Sequence, residues 1–206
     1  MTAETTYPAK VGDIMLIDTY FPNYLPSSLR GSIDEEKVGA RFNGALDVPS
    51  MSLRFIAQSV ARRELNERLK PALYVPRQGP NYETPAEVTM LRHMGKETGL
   101  PTLGGMSTIP ELEAANMLRM KTLALAVVTN KMFGMAEKRA IKRKLYRAIR
   151  DSGKNHHTLS EYDAMIADAI AVNQPSHEEV AETAGSKGVT EKLERIIGGV
   201  VRDIEF

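Results

Sequence analysis

Apolar positions change their period several times along the 206-residue chain, and each change marks an element. Val11 to Ile17 (VGDIMLI) is a short apolar run, read as a buried strand. From Asp18 to Pro49 the periodicity fades among scattered Gly, Pro, Asn and Ser, which predicts long loops. After Ser50, the expected N-cap, Leu53, Ile56, Val60 and Ala61 fall on one helical face. Ala72 to Val75 reads as a second strand. Thr84-Pro-Ala-Glu87 combines an N-cap, a proline at the first helical position and a glutamate at the third. That capping box opens a helix to about Lys96. Thr108-Ile-Pro-Glu111 repeats the device before a helix ending near Leu118, and Thr102 to Met106 between the two is a strand. Lys121 to Thr129 (KTLALAVVT) is a continuous apolar run, as expected of a strand covered on both faces. Met135 to Arg150 and Leu159 to Val172 predict two amphipathic helices. Ser176-His-Glu-Glu179 is a third capping box, opening a last helix that Gly185 and Gly188 interrupt near its middle.

Strands alternating with helices predict an α/β layer fold with a largely parallel sheet. Ligands of such sheets bind in loops beyond the carboxyl ends of the strands. Here those loops are Gln78 to Glu83, Gly105 to Thr108 and Thr129 to Asn130, each polar where an apolar strand stops.

Composition narrows the chemistry. Hydrophobic residues make up 42% and charged residues 26%, ordinary for a globular protein, and the net charge is +1. A charge so balanced gives no reason to expect nucleic acid or membrane binding by the whole surface. The absence of cysteine excludes disulfides, thiolate metal sites and cysteine nucleophiles. No apolar run approaches the roughly 18 residues of a membrane span. Met1 to Lys10 resembles neither a signal sequence nor an arginine-rich transit peptide. An intracellular protein is expected, cytoplasmic by default, with mitochondria the other compartment to consider.

Four places carry candidate chemistry. In Gly79-Pro-Asn-Tyr-Glu-Thr84 the Tyr82 ring can stack on a planar ligand, and Glu83 can accept hydrogen bonds from ring N–H groups. Glu83 is otherwise a solvated residue ahead of an N-cap. In Gly104-Gly-Met-Ser-Thr108, backbone N–H groups and the Ser107 hydroxyl suit an anion, or Thr108 simply caps the helix. Asn130 ends the most hydrophobic strand, where an amide reads a heteroaromatic edge or serves as a turn residue. His177 opens the last helix, whose dipole disfavours the imidazolium, so it is either a neutral hydrogen-bonding group or a surface histidine. His156 and His157 have no ligand at metal spacing and read as structural.

VGDIMLI, Leu29-Arg-Gly31, Ala40-Arg-Phe42, GPNYETPAE, GMSTIPE, VVTNK and SHEEV follow one another as in trimeric purine nucleoside phosphorylases, and the chain resembles the carboxy-terminal part of that family. The similarity runs from about Val11 to Lys131 and resumes at Ser176. It implies an incomplete phosphorylase-type three-layer sheet-and-helix fold that lacks the amino-terminal strands. It also implies phosphorolysis of 6-oxopurine nucleosides through an oxocarbenium-like transition state. Inorganic phosphate would be the co-substrate, with no cofactor and no metal. By resemblance Glu83 would bind purine N1–H, Asn130 would contact N7 and O6, and Tyr82 would pack on base and sugar. Tyr74 and Met106 would line the ribose site, Ser107 would reach phosphate, and His177 would meet the ribose 5′-hydroxyl. Phe42 would cap the site of a neighbouring subunit in a homotrimer.

Two departures qualify that expectation. The family's glycine-rich phosphate loop, with its arginine and histidine, has no counterpart in Met1 to Lys10, read as an amino-terminal tail. Phosphorolysis by the isolated chain is therefore not expected, and another polypeptide is expected to cover the exposed sheet edge. The phosphorylase-like part then comprises residues 11–130 and 176–206, split by an insertion at 131–175 where the family has a short loop. The insertion brings Lys138, Arg139, Lys142, Arg143, Lys144, Arg147 and Arg150 within 13 residues. That is a solvated basic face, or a docking element for RNA, acidic lipid or an acidic partner. Two functions follow: an enzyme half completed by a second chain, or a non-catalytic subunit of a larger assembly.

Overall fold

The computed structural model describes residues 9–22, 31, 37, 42–153, 158–171 and 177–204. Four strands form one sheet in the order β3-β2-β1-β4: β1 is Ile14–Tyr20, β2 Lys70–Pro76, β3 Thr102–Gly105 and β4 Leu125–Val127. β2 lies parallel to both β1 and β3, while β4 runs antiparallel to β1. Seven helices accompany the sheet among the described residues: α1 Met51–Leu65, α2 Pro85–Thr98, α3 Ile109–Met117, α4 Met135–Asp151, α5 Leu159–Ala171, α6 His177–Ala184 and α7 Lys187–Asp203.

Alternation along the strands sets the layers. Met15 and Ile17 of β1, Ala72 and Tyr74 of β2 and Leu103 of β3 share a core with Ile109 and Leu112 of α3. The opposite face divides between two helical groups. Ile14 and Leu16 meet Ala57, Val60 and Ala61 of α1 and Val189, Ile196 and Val200 of α7. Leu73 and Val75 meet Val88 and Leu91 of α2. The sheet is thus covered on both sides, giving three layers. Ala9, within the stretch read as a tail, is buried in the first of these cores.

Several local expectations changed in the folded chain. β1 extends to Tyr20, beyond the end read from the sequence. The long apolar run at Lys121 to Thr129 forms ladder pairs only over Leu125–Val127, and all three are half-buried. β4 pairs only with β1 among the described residues, so its other edge has no ladder partner to continue the run. Ser50 is buried with its hydroxyl 3.0 Å from that of Ser52, and Asp47 Oδ1 instead accepts from the Met51 N–H at 2.6 Å. Thr108 does not cap α3 either. Its φ of +83° departs from the extended backbone from which a capping side chain reaches back. Ser176, His156 and His157 lie outside the described residues. The break in the final helix falls at Gly185 and Ser186, between α6 and α7.

α1 and α7 approach closely because Gly199 has no side chain. A methyl group there would stand 2.4 Å from Val60 Cγ1. Arg63 donates to both carboxylate oxygens of Asp203 at 2.9 and 3.1 Å across the same seam. Gly199→Ala is therefore expected to destabilise the chain by about 1–3 kcal/mol through overpacking. Gly198→Ala, whose methyl meets only the end of Arg202 at 3.6 Å, should be neutral or add about 0.5–1 kcal/mol from helix propensity. Urea midpoints of the two variants check the pair, and equal midpoints would refute the packed seam.

Candidate functional site

The parallel pairing of β2 with β3 releases two loops side by side. Past the paired residues Pro76 and Gly105, the Arg77 N–H donates to the Gly105 carbonyl at 2.7 Å. One loop runs from Arg77 into the start of α2, and the other from Gly105 into α3. Between them and β4 opens a cleft of about 410 Å3. Tyr74, Tyr82, Glu83, Met106, Ser107 and Asn130 line it, together with Arg77, Thr108, Met132 and the stretch 125–129. Six of the eight residues singled out in the sequence thus meet in one cavity. Phe42 stands 92% exposed and is absent from the lining, and the His177 side chain is outside the described residues.

Each wall has a local cause. α2 begins with a formed capping box: Thr84 Oγ1 accepts from the Glu87 N–H at 3.3 Å, and Glu87 Oε2 accepts from the Thr84 N–H at 2.7 Å. The same oxygen receives Arg77 Nη1 at 2.8 Å, so the loop preceding Thr84 is tied at both of its ends. Glu83, directly before the cap, is held over Gly104. A methyl at Gly104 would lie 2.7 Å from Glu83 Oε1 and 2.9 Å from Met132 Cε. A methyl at Gly105 would lie 2.1 Å from the Tyr74 hydroxyl. Two glycines in β3 therefore let a carboxylate and a phenol cross the strand. Glycine is required there by close approach, since neither residue has a positive φ.

Asn130 follows β4, and its Oδ1 accepts from the Thr129 hydroxyl at 3.0 Å. A side-chain amide carries both donor and acceptor groups, so it suits the polar edge of a planar ligand. Because β4 runs antiparallel to β1, the cleft is lined along residues 125–130 and not just at a strand end. Past Asn130, Arg92 of α2 holds the chain. Its guanidinium donates to the Met132 carbonyl at 3.3 Å and to both Glu137 oxygens at 2.9 and 2.8 Å. The Arg92 fork keeps the Glu137 carboxyl below its ordinary range. Among the described residues there is no group of three or more His, Asp or Glu able to hold a metal ion.

The cleft can thus offer an aromatic face, a carboxylate acceptor, an amide donor and a serine hydroxyl to one planar, polar ligand. Arg77 and Met132 carry no local signal in the sequence. Arg77 is recognisable only through its partner Glu87 ten residues on, and Met132 only through the fold.

The sequence pattern of the phosphorylase superfamily matches residues 7–162, and the chain belongs to that family. It is 34% identical over 126 residues to purine nucleoside phosphorylase 1 of Geobacillus stearothermophilus, covering 61% of this chain and 43% of that protein. To the purine nucleoside phosphorylase of Bos taurus it is 35% identical over 127 residues, covering 60% and 42%. The chain spans less than half the length of these curated relatives. Among solved structures, a Schistosoma purine nucleoside phosphorylase in complex with guanosine superposes with a TM-score of 0.68 at 25% identity, covering 96% of this chain and 58% of that one. A second Schistosoma structure, in complex with hypoxanthine, gives the same TM-score at 24% identity and shares the fold. No helix among the described residues is long and apolar enough to cross a membrane.

The bonds from Thr84 and then the Arg77 guanidinium lower the Glu87 carboxyl from 4.5 to about 2. A carboxyl depressed in the folded state contributes stability above pH 4.5 that is lost as pH falls towards 2. Glu87→Gln should therefore be less stable than the parent at pH 7, with the difference closing between pH 4.5 and pH 2. Urea midpoints measured across that range test this, and a deficit independent of pH would contradict it.

Proposed function

We propose that this cleft is the purine-recognising part of a nucleoside phosphorylase site that cleaves 6-oxopurine nucleosides with inorganic phosphate. The observation that carries the reading is the convergence of Tyr82, Glu83, Met106, Ser107 and Asn130 on one cavity. Glu83 accepts a hydrogen bond from purine N1–H, and Asn130 donates to N7 while Tyr82 packs on the ring. As the glycosidic bond lengthens, its electron pair passes to the purine. The Asn130 amide stabilises the negative charge developing at N7, while Glu83 holds the ring in place through N1–H. Phosphate oxygen bonds to the anomeric carbon as the C–N bond breaks. The purine takes up the proton that phosphate gives up, directly or through water, giving free purine and ribose 1-phosphate without a covalent enzyme intermediate.

Phosphate needs fixed cationic and N–H donors. Ser107 is one hydroxyl, and the Arg77 guanidinium in the same cleft is engaged by Glu87. We therefore assign the phosphate-binding groups to protein outside the described residues, packed along the outer edge of β4 so that it completes the cleft. The half-buried β4 residues, at the end of the strand order among the described residues, support that placement.

The test uses the protein as recovered from its source, with whatever chains accompany it. Native mass spectrometry identifies the companion, and hypoxanthine release from inosine reports activity. Glu83→Gln removes a charged acceptor worth about 1.5–3 kcal/mol, so kcat/KM should fall roughly 10- to 150-fold. Full activity of that variant would overturn the assignment of Glu83, and failure of the active complex to contain this chain would overturn the function.

A further inference from the structure

Six cations of α4 have no carboxylate partner among the described residues. Lys138, Arg139, Lys142, Arg143, Lys144 and Arg147 are all exposed and make no ion pair with a carboxylate among the described residues. Glu137 is held by Arg92, Asp151 by Arg150, and Glu161 accepts from the Thr158 N–H at 2.8 Å. The chain as a whole carries only +1, so this charge is segregated onto one helix.

The cations have an order. Arg139, Arg143, Arg147 and Arg150 recur at spacings of four, four and three, forming a stripe about 16 Å long at 1.5 Å per residue. Tyr146 lies inside this cationic face. Lys142 and Arg143 precede it by four and three residues, Arg150 follows by four, and its ring is 68% exposed. The opposite side of the helix is its apolar one. Ile141, Leu145 and Ile149 are half-buried, and α4 has contacts with both α2 and α5.

These features discriminate among anionic partners. A bilayer surface would need the apolar side free to enter the interface, whereas Ile141, Leu145 and Ile149 are already half-buried. An acidic polypeptide would satisfy the charges and cover the ring, but it carries no array of phosphates for the guanidinium forks. Guanidinium forks suit phosphate, and an exposed ring between them suits an unpaired base. We propose that α4 binds single-stranded nucleic acid, with its arginine stripe on successive phosphates and a base stacked on Tyr146. This inference does not depend on the function of the cleft.

Fluorescence anisotropy of the full chain with labelled 20-nucleotide oligouridylate and oligothymidylate, over a salt series, tests it. The variant Arg139→Gln/Arg143→Gln/Arg147→Gln should bind at least tenfold more weakly, with a salt slope shallower by about 2. Tyr146→Ala should weaken binding about fivefold or more at unchanged slope, and Tyr146→Phe should restore it. Preference for oligouridylate would identify RNA as the partner, and equal binding would mean any unpaired strand. No binding by the parent at low salt would overturn the proposal, as would a triple variant that binds like the parent while circular dichroism shows α4 intact. Displacement by polyglutamate as effective as by oligouridylate, with Tyr146→Ala neutral, would mean an acidic-protein surface and would also overturn it.

Discussion

The position of β2 in the sheet governs the rest of the structure. It is hydrogen-bonded along both edges by parallel neighbours, and its residues alternate between α3 on one face and α2 on the other. The register of Tyr74 with Leu103, Val75 with Gly104 and Pro76 with Gly105 brings the two following loops together. A slip of one residue would exchange Tyr74 with its neighbours and turn an apolar side chain to the cleft. It would also place side chains where Gly104 and Gly105 now leave room. The strand that anchors the core therefore also sets the relative position of Glu83 and Ser107, which lie in different loops.

Space and charge cooperate at that crossing. Gly104 and Gly105 let Glu83 and Tyr74 approach the β3 backbone, which a side chain on either would prevent. Glu87 then fastens the loop by accepting from Thr84 and Arg77 together. One carboxylate closes a helix cap and binds the cation of the preceding loop. It thereby immobilises Glu83, which lies between them in sequence. The cleft is accordingly built on paired backbone and a capped helix start, the arrangement that gives a binding group a defined position.

What could be read in the sequence follows the range of the interactions concerned. The capping box at Thr84 is contained within four residues, and it forms as expected. The same letters at Thr108 fail because the loop entering α3 takes a left-handed conformation at that residue, a demand no local pattern announces. Ser50 looks like a cap, yet packing buries it and Asp47 does the bonding. The apolar run before Asn130 indicated a strand, but how much of it pairs depends on neighbours distant in sequence. Glu83 and Asn130 stood out by their motifs and order. That they share a cavity with Met132 and Arg77 depends on contacts between segments up to 55 residues apart, from Arg77 to Met132.

The segment 131–175 illustrates the same limit and joins two parts of the molecule. Its charge and helices are plain in the sequence, while its attachment is not, because Arg92 and Glu137 are 45 residues apart. That ion pair also explains why α4 begins where it does. Glu137 accepts from the Gly134 N–H at 2.9 Å, so the carboxylate held by Arg92 caps the helix start as well. The Met132 carbonyl, bonded to the same arginine, connects this point back to the cleft. α2 therefore supports Glu83 at its first turn and the root of α4 further along. The basic helix that follows the cleft residue Asn130 is thus fastened, at its first turn, to an element that already frames the cleft.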